Sequence, residues 1–364
     1  MVRAAWKKRS IVWILILAMI CQMIPAFGMA QTAGASQSAD SQYVTFSMEG
    51  LTIGDGFYVL PTRLSRQEIV DLWKTKQGVT LDPRKLTVAQ ATYAFLENAG
   101  LSANYGGTGY RDPSFYLRGI YGIGTKIAQV PEALKQAYQE RTGQELALEE
   151  RADDDRDLGE FDFTEQSGWM ITLDDSFISV GAGKSSLPQN GDCSIRWMFT
   201  VAMYGADLGS DFEEEPLVRA ADRRELYELY AASAQYLAAN PDVSKEVQEV
   251  MGRLDASQEE IDQAAEKIRD LYPKDVTLQM QDPVESLSLT DGQGENIDLG
   301  ECTEDGYHLN LMKGTYRLTG YASDQTVLGS LDLTVGSKDE QTASVLAVTN
   351  IYETHEGWKR GVDY

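Results

Sequence analysis

The sequence predicts a multidomain protein with an α+β first domain, a short helical segment and an all-β C-terminal module. Three observations support this fold class. The chain has 364 residues, which exceeds the usual size of one domain. Helical and alternating patterns are mixed over residues 43–209, and helical stripes follow over residues 210–274. From residue 275 to residue 364 the pattern only alternates, as in strands. We therefore place domain boundaries at these positions, with residues 210–274 as a helical spacer.

The residues before the first domain have the features of an export signal and a linker. Basic side chains lie between residues 3 and 9, an apolar run covers residues 11–23, and small residues flank Met29 before a cleavage position after Ala30. The run has 13 residues, which is short for a membrane span. We expect a signal peptide at 1–30, a flexible linker at 31–42, and a mature chain without a membrane span that is secreted or displayed on the cell surface.

The charge of the chain excludes one class of partner. The formal net charge is −24, and removal of residues 1–30 takes away four basic and no acidic side chains, which leaves −28. Such a chain does not attract nucleic acid or anionic lipid through its general field. We expect no nucleic acid among its partners.

Residues that commonly carry catalysis are scarce, and we expect a protein that is not an enzyme. The two histidines, His308 and His355, do not have the helical spacing of a zinc protease, and the sequence has no Gly-x-Ser-x-Gly elbow or P-loop. The acidic run at 149–157 resembles the start of a calcium loop, but Leu158 stands where such a loop needs glycine. The mature chain retains Cys193 and Cys302, and the sequence leaves open whether they pair.

The first domain combines hairpins and capped helices. Alternation on both sides of Gly54-Asp55-Gly56 predicts a β-hairpin. Three helices follow, and two more strands are predicted at 168–173 and 193–201 around a glycine-rich loop at 181–183. The predicted start and stop residues of the helices are Ser65 and Gly78, Thr87 and Gly100, and Pro131 (as the first helical residue) and Gly143.

The later segments show simpler patterns. A helix capped at 222–225 is expected to run to Asn240-Pro241, a second follows, and Ser257 opens a third with a capping box. Short alternating runs separated by Gly, Asp and Ser turns then predict a β-sandwich-like module. The sequence is compatible with a longer surface protein that continues past Tyr364.

Aromatic residues in the first domain are candidates for either core or ligand contact. The strand at 193–201 places Trp197 on an all-apolar face, which predicts core. Trp169 ends its strand beside Ser167, and the sequence leaves it open between core and pocket. Three tyrosines lie in glycine-bordered segments. The candidate ligand-binding residues are Trp169, Tyr204, Tyr116, Tyr110 and Ser167.

Residues 43–209 resemble the transcobalamin-like C-terminal domain, a family of unknown function in exported proteins of Gram-positive bacteria. The resemblance rests on ordered motifs: "VTFSMEGLTIGDGFYVLP", "FYLRGI", the SGWM strand, Gly191-Asp192, Arg196-Trp197 and the closing Tyr204-Gly205-x-Asp207. The chain departs from the family at Asp174-Asp175 and at Gln189-Asn190, where asparagine and Asp-Gly-Asp are usual. More loosely, residues 275–350 are similar to carboxypeptidase-regulatory-like β-sandwich modules.

The resemblance implies a β-grasp-like fold and a ligand. In transcobalamin the corresponding domain covers one face of cobalamin as half of a clamp, and this chain lacks the helical barrel that forms the other half. Cobalamin or another corrinoid is thus the most specific small-ligand candidate for a non-catalytic binding protein. The alternative is a surface adhesin or structural stalk that binds a cell-surface glycan or protein and no small molecule.

Overall fold

The structure is a computed structural model that describes residues 42–123, 129–148, 158–211, 215–279, 284–303, 306–336 and 346–347. Outside these ranges lie the predicted signal peptide, the linker up to residue 41, the acidic run at 149–157, His355 and the end of the chain.

The central sheet of the first domain joins distant parts of the chain. Five strands form this sheet, in the order β2-β1-β8-β6-β7. They are β1 (Tyr43–Glu49), β2 (Phe57–Ser65), β6 (Gly168–Leu173), β7 (Ser176–Phe177) and β8 (Cys193–Thr200).

The hairpin expected around Gly54-Asp55-Gly56 is confirmed, because β1 and β2 pair antiparallel. On its other side β1 pairs parallel with β8, and Met48 lies opposite Trp197. Strand β8 also pairs antiparallel with β6, and all of its residues are buried. The sheet is therefore covered on both faces at its centre.

Helices cover the apolar face of this sheet. They are α1 (Arg66–Gln77) and α2 (Val88–Ala99). A third helix, α3 (Glu132–Thr142), adds Leu134 to the same hydrophobic cluster. On α2, the ring of Phe95 stacks on Phe46 of β1 at 4.7 Å between centroids. The Trp197 indole N–H donates to Thr92 Oγ1 at 2.9 Å. The prediction that Trp197 belongs to the core is confirmed.

The predicted helix ends agree closely with the structure. Ser65 and Thr87 each form both bonds of a capping box, and Gly78 and Gly100 end their helices in the left-handed conformation. Pro131 differs slightly from its prediction: it is the residue before α3 rather than the first helical one. Its φ of −55° suits a helix, but its ψ of 139° is extended.

A second, small sheet lies beside the central one. It has the order β3-β4-β5, with β3 (Ser102–Gly106), β4 (Tyr116–Tyr121) and β5 (Leu158–Gly159). Strands β3 and β4 form an antiparallel pair, and the loop between them carries Tyr110. This loop and α1–α2 provide the candidate site described below.

The helical segment packs against the central sheet. It contains α4 (Arg224–Ala232), α5 (Ala234–Ala239), α6 (Pro241–Met251) and α7 (Gln258–Arg269). The predicted single helix up to Asn240 is wrong, because it breaks at Ser233, whose Oγ donates to the carbonyl of Leu229 at 2.6 Å. Helix α4 contacts β1 and β2, and the Tyr227 ring lies 5.0 Å from the Arg196 guanidinium. The segment expected as a spacer thus also covers the second face of the sheet.

The C-terminal part contains strands in two sheets, as the alternating pattern predicts. One sheet has the order β11-β10-β13-β14 and the other β12-β9-β15. Both contribute to one hydrophobic cluster, for example through Leu278 of β9 and Leu318 of β13. The mixed α and β architecture with several sheets is confirmed. The strands are β9 (Lys274–Gln279), β10 (Ser286–Thr290), β11 (Asn296–Ile297), β12 (Tyr307–Leu311), β13 (Gly314–Tyr321), β14 (Val327–Val335) and β15 (Leu346–Ala347).

Candidate functional site

An aromatic cleft of about 620 Å³ lies where α1, α2 and the β3–β4 loop meet. We call it the aromatic cleft and define it by Trp73, Gln77, Tyr93, Tyr105 and Tyr110. Trp73 and Tyr93 are buried and form its floor, whereas Tyr105 is 37% exposed and lies at its rim. A concave site with aromatic walls and a few polar groups is the usual form of a ligand pocket.

The rings of the cleft form a continuous chain of contacts. Trp73 and Tyr93 are 4.4 Å apart, Tyr93 and Tyr110 are 5.2 Å apart, and Tyr110 and Tyr105 are 5.1 Å apart between centroids. The planes of these three pairs are tilted by 51°, 58° and 53°. Since Trp73 and Tyr93 are buried, the accessible ring surface comes from Tyr105 and Tyr110, which do not form one flat platform.

Polar contacts hold the floor of the cleft in position. The Trp73 indole N–H donates to the carbonyl of Gln90 at 2.9 Å. Gln77 Nε2 donates to the Tyr93 hydroxyl at 2.7 Å, which leaves that hydroxyl able to donate its own proton to a ligand. Because these side chains come from two capped helices, their positions follow from the packing of α1 on α2.

One carboxylate organises the loop that carries Tyr110. Asp112 accepts hydrogen bonds from the backbone N–H and hydroxyl of Thr108 and from those of Ser114, at 2.7–2.8 Å. The bonds from Ser114 and then those from Thr108 hold the pKa of Asp112 well below its usual range. The carboxylate therefore stays ionised over the working range of pH, and its four hydrogen bonds hold the loop in position.

Tyr110, one of the candidate ligand-binding residues, lies in this cleft. Its ring stacks on Phe115 at 4.7 Å, and burial, followed by the neighbouring Tyr105, raises the pKa of its hydroxyl above the usual range. The hydroxyl is therefore neutral over the working range of pH. The charged side chains that line the cleft are Arg111 and Asp112.

Tyr116 lies outside the cleft. It is 49% exposed on β4, two residues before Arg118, which pairs with Glu160 at 3.6 Å. Burial of its covered half and then the charge of Glu160 raise the pKa of Tyr116 to about 12. The ring is accessible, but it does not line the cleft with Tyr110.

Tyr204 is displayed by a turn that follows β8. It is 50% exposed and has a left-handed backbone with φ 49°, which is uncommon for a bulky residue. The buried Asp207 holds this turn by accepting hydrogen bonds from the Thr200 hydroxyl and from the backbone N–H groups of Val201 and Ala202. These bonds give a structural reason for the Tyr204-Gly205-x-Asp207 motif.

Ser167 and Trp169 lie in the interior. Trp169 is 5% exposed, packs edge-on against Phe199, and donates from its indole N–H to the carbonyl of Leu158 at 2.8 Å. Ser167 Oγ bonds to the carbonyls of Asp162 and Thr164. Since the polar atoms of both side chains are used within the protein, the structure resolves the open alternative for Trp169 in favour of core.

The sequence reasoning missed the residues that complete the cleft. Trp73, Gln77, Tyr93 and Tyr105 were not candidates, although a signal for Tyr93 is present. In α2 the spacing of Val88, Ala91 and Phe95 places them on one apolar face, and Tyr93 lies off that face. A large aromatic side chain outside the core stripe of a helix indicates a second contact, which here is the cleft.

In the part of the chain that the structure describes, we also searched for a metal site, a membrane-spanning helix and a reactive thiol. No group of three or more His, Cys, Asp or Glu side chains there could hold a metal ion. None of the helices in that part is long and apolar enough to cross a bilayer. Cys193 is buried, Cys302 is exposed, and both are free thiols. Burial raises the pKa of the Cys193 thiol to about 12, which makes it a poor nucleophile.

Comparison of the chain with protein-family models, with curated proteins and with solved structures gave no match. The resemblance of residues 43–209 to a transcobalamin-like domain therefore rests on the sequence motifs alone.

Proposed function

We propose that the protein is a secreted or surface-displayed, non-catalytic binding protein whose first domain holds its ligand or partner in the aromatic cleft. The observation that carries this proposal is the convergence of Trp73, Tyr93, Tyr105 and Tyr110 around a volume of about 620 Å³. Tyr105 and the partly exposed Tyr110 are the rings from which a ligand would displace water, and that displacement is favourable.

The same proposal includes a finer description of the fold. Residues 43–209 are a β-grasp-like domain, which is supported by the parallel β1–β8 pair in the middle of a mixed sheet and by α2 across its apolar face. The C-terminal strands form a sandwich-like module, which is supported by the hydrophobic cluster shared by their two sheets.

A corrinoid is the specific small ligand that the resemblance implies. The aromatic rings suit the apolar groups of such a molecule, and Arg111 and Asp112 at the lining suit its amide groups. Because the cleft is open, the described surface would cover only part of a ligand of that size, and we expect modest affinity.

An adhesin that binds glycan or protein is the second candidate, and the ring geometry favours it. The accessible rings of Tyr105 and Tyr110 are tilted by 53° to each other, so they offer two separate faces. Faces of this size suit single pyranose units or aromatic and aliphatic side chains better than a broad planar macrocycle.

Calorimetry on the mature chain, residues 31–364, tests both candidates with one variant and one control. Cyanocobalamin is titrated first, followed by neutral oligosaccharides, into the wild type, Tyr110→Ala and Tyr204→Ala. We expect saturable binding that Tyr110→Ala weakens about 10-fold or more, because an anchor ring is lost from the cleft. Tyr204→Ala removes an equally large exposed ring elsewhere and should leave the affinity unchanged.

The outcomes separate the candidates. Binding of cyanocobalamin that depends on Tyr110 supports the corrinoid, whereas heat only from oligosaccharides supports the adhesin. Equal effects of the two substitutions would show that the cleft is not the site.

A further inference from the structure

The second face of the central sheet is mostly polar and yet largely buried, and its apolar residues include Met170, Met198 and Phe57. Directly opposite pairing places Thr172 of β6 beside Arg196 of β8, and Ser194 and Arg196 beside Thr45 and Ser47 of β1. Each of these side chains is at most 7% exposed. We call this surface the polar face and define it by Thr45, Ser47, Glu49, Thr172, Ser194 and Arg196. A permanent core interface is normally apolar, because buried polar groups lose water.

Helix α4 closes the polar face through ions. Arg196 makes two bonds to Glu49, at 3.0 and 3.1 Å, and a third to Asp175 Oδ1 at 2.7 Å. The other oxygen of Asp175 accepts the backbone N–H of Arg223 at 3.0 Å, and Arg224 pairs with Asp174 at 3.4 Å. A seam of this kind contributes little net free energy, since the attraction of buried ions is largely offset by their desolvation.

The layers on the two sides of the seam have separate hydrophobic cores. The cluster of the first domain includes Phe46 and Trp197, and that of the helical segment includes Leu226 and Ile268. The main ring that crosses between them is Tyr227, which contacts Phe57 edge-on at 5.8 Å and covers Arg196. Leu254, which follows α6, packs against the cluster of the first domain, and Phe57 of β2 packs against that of the helical segment. Separation of the layers would therefore expose Tyr227, these two side chains and the polar face.

Two hydroxyls of the polar face have no hydrogen-bond partner among the described residues. They are Thr172 Oγ1 and Ser194 Oγ. An unsatisfied buried hydroxyl costs about 1–3 kcal/mol, and this cost disappears when water reaches the group. Both hydroxyls thus favour the open arrangement.

We propose that helices α4–α7 form a detachable cover that opens as a unit and exposes the polar face, with its preformed Arg196–Glu49 pair, as a second surface of the protein. In the closed state the chain's own helix α4 occupies this surface. The first domain then has two surfaces of different chemistry: the aromatic cleft, which is always accessible, and a polar face whose access depends on the cover.

Thiol modification measures the opening, because adjacent residues of β8 point to opposite faces. All variants use residues 31–364 with Cys302→Ser. The first retains the native thiol of Cys193 on the core face. The second carries Cys193→Ala and Ser194→Cys, which moves the only thiol to the polar face. Ser47→Cys on β1, again with Cys193→Ala, is an independent reporter if the substitution at 194 prevents folding.

We expect iodoacetamide to modify the thiol at position 194 about 100-fold or more faster than Cys193 in native buffer, because opening of the cover requires less free energy than global unfolding. Asp175→Asn removes a charge that joins Arg196 to α4, so it should increase the rate at position 194 without changing the rate at Cys193. Equal rates at both positions, matching the rate of global unfolding, would overturn the proposal. Modification at position 194 as fast as in denaturant would also overturn it, because the cover would then not be closed.

Discussion

At the scale of single residues, a buried carboxylate determines how the turn after β8 responds to pH. Asp207 is fully buried beside Thr200, and burial raises its pKa from 3.8 to about 6, against hydrogen bonds from Thr200 and from nearby backbone N–H groups that lower it. A carboxyl group whose folded pKa is raised binds more protons in the folded state than in the unfolded state. Stability must therefore fall as pH rises from about 4 to about 6.

This linkage gives a prediction for Asp207→Asn. The amide imitates the protonated acid, so the variant should lose the pH dependence that the carboxyl group imposes. A shift of this size corresponds to about 3 kcal/mol between pH 4 and pH 7. Urea unfolding, followed by tryptophan fluorescence at several pH values, measures the difference between wild type and variant. That difference should change by about this amount in favour of the variant as pH rises.

The exposed Asp71 of α1 supplies the control. It accepts a bond from Gln67 on the helix surface, and Asp71→Asn should leave the shape of the stability curve unchanged. A difference between wild type and Asp207→Asn that is constant with pH would contradict the assignment of this linkage to Asp207.

At the scale of elements, the glycine-rich loop at 181–183 connects helix α2 with the β3–β4 loop. The carbonyls of Ser185 and Ala182 accept the backbone N–H groups of Val88 and Ala89, which the first turn of α2 leaves without helical partners. A Cβ atom on Gly183 would lie 2.2 Å from the carbonyl oxygen of Asp112, in the loop that carries Tyr110. The loop thus connects the start of α2 to the wall of the aromatic cleft.

Two alanine substitutions in this loop should behave differently. Gly183→Ala forces backbone atoms apart and should lower the free energy of unfolding by about 1–3 kcal/mol, as overpacking usually does. It should also weaken ligand binding, since the displaced segment holds Tyr110. At Gly181 the nearest atom to a new Cβ is 3.5 Å away, so Gly181→Ala should change stability by less than about 1 kcal/mol. Urea unfolding of both variants checks the prediction, and equal costs would contradict it.

Features that depend on nearby residues could be predicted from the sequence, whereas contacts between distant elements could not. Helix ends depend on groups within four residues, and the capping boxes of Ser65, Thr87 and Ser257 follow their predictions. The alternation of β8 correctly separates its two faces. It does not reveal that α4 covers the polar face, because the bond between Asp175 and Arg223 joins residues 48 positions apart.

The candidate site was predictable only in part for the same reason. Tyr110 was chosen because glycines surround it, but Trp73, Tyr93 and Tyr105 come from three other elements. Their convergence depends on the packing of α1 on α2 and on the pairing of β3 with β4. The same criterion also selected Tyr116 and Tyr204 as ligand contacts, and both rings are about half exposed but do not line the cleft.

At the scale of the whole molecule, the described residues form three hydrophobic clusters joined by polar contacts and a few apolar ones, such as Tyr227 with Phe57. One belongs to the first domain, one to the helical segment and one to the C-terminal strands. The contacts between the last two include the ion pair of Lys313 with Asp270 at 2.6 Å, and partly exposed pairs of this kind stabilise by at most about 1 kcal/mol. Weak coupling between strong cores makes separate unfolding transitions the expected behaviour.

Two matched core substitutions test this modularity by scanning calorimetry. Leu318 of β13 and Leu226 of α4 are both fully buried, in the C-terminal and helical clusters respectively. Each Leu→Ala change should destabilise its own cluster by about 2–5 kcal/mol, because it removes apolar contacts and leaves a cavity. We expect Leu318→Ala to lower the Tm of one transition and Leu226→Ala to lower that of another, while the transition of the first domain stays in place. A single transition that moves as a whole in both variants would mean that the seam and the ion pair couple the clusters, and it would also contradict the opening of the cover as an independent unit.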